Sequence, residues 1–300
     1  AGLGSSSRRA ERAPSASLPA DREDRASVTP PSPTAAPLEG AVALVTGANH
    51  GIGAATAIAL AGRGADVAVT YLRTGDPSRD DAYERPRADD ATAVEDAIRK
   101  LGRCCLALEA DLRDPDVPSR LFDGIEADLG PVSVLVHNAS GWRKDSYAPH
   151  EPDAVGRAAP LVHREAIDDQ LHVDARAGAL LMAEFISRHR ARAAEWGRIV
   201  TLTSGEGRAF PGEVSYGAGK AALISYTLSA AAEMAADGVT ANVVYPPVTD
   251  TGWITDEVRS FVAADHDHHH IADPKEVAEV IAWLCAGAGR LVTGNILRLR

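Results

Sequence analysis

The chain has 300 residues, 45% hydrophobic and 24% charged, which is enough apolar content for a sizeable core and excludes global disorder, a collagen-like repeat or a disulfide scaffold. The formal net charge of −11 argues against non-specific nucleic-acid binding and against docking on an anionic membrane. No apolar run approaches the roughly 20 residues of a membrane span, and three cysteines without metal-ligand spacing suit free thiols in a reducing compartment, so a cytoplasmic location is expected.

Residues 1–38 are rich in Ser, Ala, Pro and Arg and carry no apolar signal-peptide core; they are predicted to be a disordered tail. From residue 39 to 300 the pattern is that of one domain. Strands are predicted at 41–45, 66–71, 103–110, 132–137, 198–203, 240–245 and 295–299. Helices are predicted at 54–62, 91–101, 117–129, 167–190, 215–237, 255–264 and 274–285. Long polar stretches interrupt this order at 73–90 and 142–165. Strand and helix alternate throughout, which is the signature of an α/β fold with a doubly wound, Rossmann-type parallel sheet.

The first strand runs into Thr46-Gly47-Ala48-Asn49-His50-Gly51-Ile52-Gly53 and then into a helix. A glycine-rich turn at that place lets backbone N–H groups approach a pyrophosphate, whose charge the helix dipole favours. Gly47 suits the tight turn, Gly51 the close approach and Gly53 the helix–strand packing; the plain alternative is a structural turn. After the second strand comes Tyr71-Leu72-Arg73, with a cation where a ribose-binding carboxylate often stands. NADP(H) is therefore expected in preference to NAD(H), unless Arg73 is an ordinary solvated charge.

Tyr216 and Lys220 are four residues apart, so on a helix they share one face. With six tyrosines and four lysines in the chain, such a pair arises by chance about 0.08 times. A phenol is a poor acid or base at neutral pH, and an adjacent ammonium favours its ionised form. Ser204 lies at the end of the preceding strand, where its hydroxyl can hold a carbonyl oxygen or simply cap a helix.

In this order and spacing the motifs resemble the short-chain dehydrogenase/reductase family, with similarity to its 3-oxoacyl-ACP reductase-like members, from about Gly40 to Arg300. Thr46–Gly53 matches the family's TGxxxGxG loop. Asp111-Leu112 matches the acidic–apolar pair placed against adenine. His137-Asn138-Ala139-Ser140 resembles NNAG, and Pro246-Pro247-Val248-Thr249-Asp250-Thr251 resembles PGxxxT. The resemblance implies that Ser204 orients a substrate oxygen, Tyr216 transfers its proton, and Lys220 lowers the Tyr pKa and binds the nicotinamide ribose. It also implies that Val248 meets the carboxamide and Thr251 the pyrophosphate. A small-molecule ketone or secondary alcohol is the implied substrate, and a homodimer or homotetramer the implied assembly. Cofactor use without net redox, as in an epimerase or dehydratase, and a catalytically silent binding module are the alternatives.

Three departures from the family pattern stand out: Asp174 for a helix Asn that positions a relay water, Pro247 for Gly, and Ser140 for Gly. Asp174 is expected to hold the relay water still and to keep Lys220 charged. Trp142, Tyr147, Phe210, Trp253 and Phe261 are candidates to line a substrate pocket, and Arg143, Lys144 and Arg208 are either anion-recognising or rim charges. His266, His268, His269 and His270 surround Asp267, but a consecutive run diverges in direction, and no metal site is expected.

Overall fold

The computed structural model describes residues 37–74, 85–149, 151, 158–204, 209–264 and 269–300. Most of the tail assigned to 1–38 lies outside them. Leu38, however, is buried in the core and its N–H bonds to the Arg63 carbonyl, so the ordered core begins earlier than residue 39.

Among the described residues seven strands form one parallel sheet: β1 (Val42–Thr46), β2 (Asp66–Tyr71), β3 (Cys105–Glu109), β4 (Val132–His137), β5 (Gly197–Leu202), β6 (Val239–Tyr245) and β7 (Ile296–Arg298). Their order is β3-β2-β1-β4-β5-β6-β7, every neighbouring pair parallel. The chain therefore reverses its winding between β1 and β4, and loops leaving these two strands diverge to open a crevice.

Both faces of the sheet are covered, which is why its strands read as largely apolar runs rather than as strict alternation. Ala43 and Val45 of β1 face one core with Val67, Val134 and Val200, against helices α1 (Gly51–Ala61), α3 (Thr92–Lys100) and α9 (Pro274–Cys285). Val42 and Leu44 face the other core, against α4 (Val117–Asp128), α6 (Gly178–Ala191) and α7 (Val214–Met234). Phe122, Phe185 and Leu181 fill that second core. Helix α9 starts with a complete capping box, Asp273 with Glu276, behind Pro274.

Two features differ from the expected elements. The stretch 73–90 contains a short helix, α2 (Arg85–Ala88). The long helix expected at 167–190 is α5 (Arg164–Gln170), then a π-helical stretch Leu171–Ala177, then α6. Wider π turns inside α-helices recur at functional sites, and Asp174 sits at the centre of this one. The remaining helix, α8 (Asp256–Ala264), follows β6.

Candidate active site

The loops after β1 and β4 are locked together by one buried threonine. Thr46 Oγ1 accepts the N–H groups of Asn138 (3.1 Å) and Ala139 (3.0 Å). Its own hydrogen is then left for His137 Nδ1 at 3.0 Å, so the imidazole carries its proton on Nε2 and donates it to the Val173 carbonyl at 3.2 Å. The Asn138 amide donates to the carbonyls of Thr46 and Gly47. Thr46 is fully buried, so its part in the phosphate loop is to hold the backbone rather than to touch a ligand. Gly47 has φ +62° and stands against Ala139, and a Cβ on Gly53 would collide with the Gly47 carbonyl and the Asn138 amide. Backbone thus occupies the space that side chains would take, leaving a bare polypeptide cradle at the start of α1.

Burial, aided by the Lys220 ammonium, pushes the His137 imidazole down to about 4. The unfolded chain therefore binds this proton near pH 6.5 and the folded protein resists it, so stability present above pH 6.5 is lost as pH falls toward 4. His137 alone contributes about 3 kcal/mol to that loss. His50, lowered to about 4 by burial and by Arg87, acts in the same direction. Urea midpoints measured between pH 7 and 4.5 should fall less steeply in His137→Asn than in the parent; parallel slopes would refute the assignment.

The chemistry-bearing side chains meet at the carboxyl ends of β4 and β5. Lys220, buried on α7, donates to the Leu202 carbonyl at 3.0 Å and pairs with Asp174 Oδ1 at 2.8 Å. Asp174 Oδ2 accepts from Ser140 Oγ at 3.1 Å and from Gly141 N at 3.0 Å. The carboxylate therefore reaches Lys220 directly. Two of the departures noted in sequence belong together: the Ser140 hydroxyl supplies a donor for the oxygen that Asp174 does not use on Lys220. Burial is the largest influence and disfavours the ammonium, but Asp174 and Tyr216 together outweigh it and Lys220 titrates above its ordinary range.

Tyr216 sits one turn earlier on α7, with the Lys220 ammonium 5.5 Å from its ring centre. Ser204 lies close enough to favour the ionised phenol, and Phe210 packs edge-on at 5.8 Å. Burial raises the phenol above its ordinary value, and Lys220 and Ser204 only partly offset it, since Asp174 also pushes it upward. At neutral pH the group is a protonated phenol, an acid rather than a base.

A residue that sequence reasoning missed orients this helix start. Asp145 is completely buried, and its carboxylate accepts from the backbone N–H (2.9 Å) and the hydroxyl of Ser215, immediately before Tyr216. It caps α7 from a segment 70 positions away in the chain. Only its burial distinguishes it from the other charges of its polar stretch.

These groups face one cleft of about 510 Å³. Its walls include Ile52, Asn138 and Ser140 on one side, and Pro246, Pro247, Val248 and Thr251 on the other, with Ser204, Tyr216 and Lys220 between them. A Cβ on Gly51 would lie 3.0 Å from Thr251, so the glycine loop and the segment after β6 close on each other. An elongated ligand with phosphates over the glycine loop and a reactive ring near Tyr216 matches this layout, and a nicotinamide dinucleotide has that form. Leu112 is buried, whereas Asp111 is bound to Arg113 at the surface. Arg73 is not free: Glu109 of the adjacent strand holds it in a two-pronged pair at 3.1 and 2.6 Å.

The other candidates divide. Trp142 and Trp253 line the cleft and Phe210 backs Tyr216, but Tyr147 is 76% and Phe261 56% exposed. Lys144 lines the cleft, Arg143 is paired with Asp169 at 2.6 Å, and Arg208 lies outside the described residues. His266, Asp267 and His268 also lie outside them, and His270 bonds to Glu276. Among the described residues no cluster has the make-up of a metal site, and no helix is long and apolar enough to cross a membrane.

Comparison with known proteins agrees with this geometry. Residues 47–299 match a family model described as enoyl-(acyl carrier protein) reductase. The cis-4-hydroxycyclohexanecarboxylate dehydrogenase of Sinomonas cyclohexanicum is 35% identical over 260 residues, covering 85% of this chain and 93% of the relative. The 3-oxoacyl-[acyl-carrier-protein] reductase FabG of Escherichia coli is 29% identical over 87% of this chain and 96% of its own. Among solved structures, the angucycline C-6 ketoreductase LanV with bound NADP superposes with a TM-score of 0.70 at 28% identity, covering 88% of this chain and 95% of that one. The match spans nearly all of the sheet and its loops, and the chain belongs to the short-chain dehydrogenase/reductase family of oxidoreductases.

Proposed function

We propose that this oxidoreductase interconverts a ketone and a secondary alcohol with NADP(H), using Ser204, Tyr216 and Lys220. The observation that carries the reading is the meeting of a protonated Tyr216, a hydroxyl donor in Ser204 and a charged Lys220 in the cleft that the glycine loop opens into. The nicotinamide supplies hydride to the carbonyl carbon, or takes it from the carbinol carbon, when bound. Ser204 holds the substrate oxygen beside the phenol. Tyr216 gives that oxygen its proton as negative charge develops, and in the reverse direction receives it. Lys220, fixed by Asp174 and the Leu202 carbonyl, keeps a positive charge next to the phenolate that remains.

The backbone and side chains of the cradle, with Asn138, Val248 and Thr251, would hold the dinucleotide. The preference for NADP(H) rests on the second strand ending in a cation, Arg73, although Glu109 pairs with it, and on the NADP bound in the ketoreductase relative. An assembly of two or four copies is favoured by Ile167, Leu171 and Tyr226, large apolar side chains exposed on or beside α5 and α7. The acidic chain and its three free thiols suit the cytoplasm.

The test is a titration of NADPH and NADH, followed by nicotinamide fluorescence, and then consumption of NADPH with a panel of ketones. Binding with net NADPH oxidation supports the reading. Binding with substrate conversion but no net cofactor turnover identifies an internal epimerase or dehydratase instead. Binding of neither cofactor identifies a silent module.

A further inference from the structure

We infer that Arg87, carried by the insertion between β2 and α3, is the cation that binds a phosphate of the dinucleotide. The inference rests on the nicotinamide-cofactor reading above but assigns a residue outside every family motif.

The glycine loop has no charge of its own. From Thr46 to Gly53 it contains no Lys, Arg, Asp or Glu, and its only titratable group, His50, is held neutral by burial. Backbone N–H groups and the helix dipole receive a phosphate there, and a cation brought from elsewhere adds a charge-assisted bond to that hold. Arg73 is the obvious candidate by position, yet both of its prongs are used on Glu109. A phosphate arriving there would have to displace a carboxylate or lie against it.

Arg87 stands on a segment that is tied to the glycine loop itself. The Asn49 side chain, inside the glycine loop, donates to the carbonyls of Pro86 and Asp89, each at 3.0 Å. Thr74 N–H donates to the Arg87 carbonyl at 3.0 Å, closing the two ends of the insertion on each other. These three bonds fix residues 85–89 against the phosphate loop rather than in open solvent. Arg87 lines the cleft together with Ile52 and Thr251, and its charge is close enough to His50 to bear on its protonation. Asn49, placed by motif among the cofactor ligands, thus acts by holding the segment that carries the charge.

Dissociation constants of NADPH and NADH should be measured by fluorescence, at two salt concentrations, in the parent protein, Arg87→Ala, Arg87→Lys and Arg73→Ala. Arg87→Ala is expected to weaken binding roughly ten- to a hundredfold and to flatten its salt dependence, with Arg87→Lys intermediate. Weakening shared by both cofactors assigns the pyrophosphate; weakening confined to NADPH assigns the 2′-phosphate. Unchanged binding of both cofactors by Arg87→Ala overturns the inference, most plainly if Arg73→Ala weakens NADPH. A parent protein that binds neither cofactor is a separate result, since it removes the cofactor reading itself.

Discussion

Tyr216→Phe should lower kcat for ketone reduction by about 10²- to 10⁴-fold, the usual contribution of a placed proton donor, while cofactor binding stays essentially unchanged. The substitution removes one oxygen and keeps the ring. Its edge contact with Phe210 and the approach of Lys220 to its face both survive. The loss is therefore confined to the atom that carries the proton. Because burial holds the phenol above its ordinary value, the parent enzyme has the acid form ready at neutral pH. Ketone reduction should then be flat with pH through neutrality, and alcohol oxidation should rise toward alkaline pH, where the phenolate forms. Tyr216→Phe should lack the alkaline rise at its residual rate. A Phe variant that keeps parental kcat, at unchanged cofactor affinity, would remove Tyr216 from the chemistry.

Much of this site is legible in sequence, and the reason is local. The strands are mostly apolar on both faces because a parallel sheet is covered on both sides, and the Val and Leu residues of Val132–His137 show this without any structure. The glycine loop and the Tyr216–Lys220 pair are short-range patterns, set by turn geometry and by the helical repeat. What escaped reading depends on bonds between distant positions. Asn49 reaches carbonyls 37 and 40 positions away, and that contact turns a featureless polar loop into a wall of the cleft. Asp145 looks like any loop acid until its burial and its bond to Ser215, 70 positions away, are known. The π-helical stretch around Asp174 is a change of backbone hydrogen-bond register, with no residue type that marks it.

Arg73 has a partner that its own strand does not announce. Parallel pairing sets Tyr71 opposite Glu109, and this brings the acid alongside Arg73. Strand register is a property of the sheet, so a reading of one strand at a time cannot find the partner. Thr46 belongs to the motif as expected, yet its hydroxyl is spent on His137, Asn138 and Ala139. Motif membership identifies the neighbourhood of a ligand; the hydrogen-bond inventory decides which atoms are left to meet it.

The largest stability effect is expected at Asp174, because removing one member of a buried ion pair leaves the other charge uncompensated. Asp174→Ala should destabilise the protein by about 3–5 kcal/mol in urea unfolding, since Lys220 would keep only the Leu202 carbonyl as partner. Asp174→Asn should cost clearly less. Its amide oxygen still accepts from Ser140 and Gly141, although the ion pair is gone. The two variants also separate stability from chemistry. Asp174 raises both the Lys220 ammonium and the Tyr216 phenol. Alcohol oxidation needs the phenolate, so its rate rises with pH through the Tyr216 titration. Taking away the nearby negative charge removes its upward push on the phenol and should move that rise to lower pH in Asp174→Asn. Ser140→Gly, which removes a hydroxyl from Asp174 and leaves the carboxylate in place, should lower activity without producing the same displacement to lower pH. A pH profile in Asp174→Asn that matches the parent, together with equal destabilisation by Asn and Ala, would reduce Asp174 to a packing residue and detach it from the proton transfer.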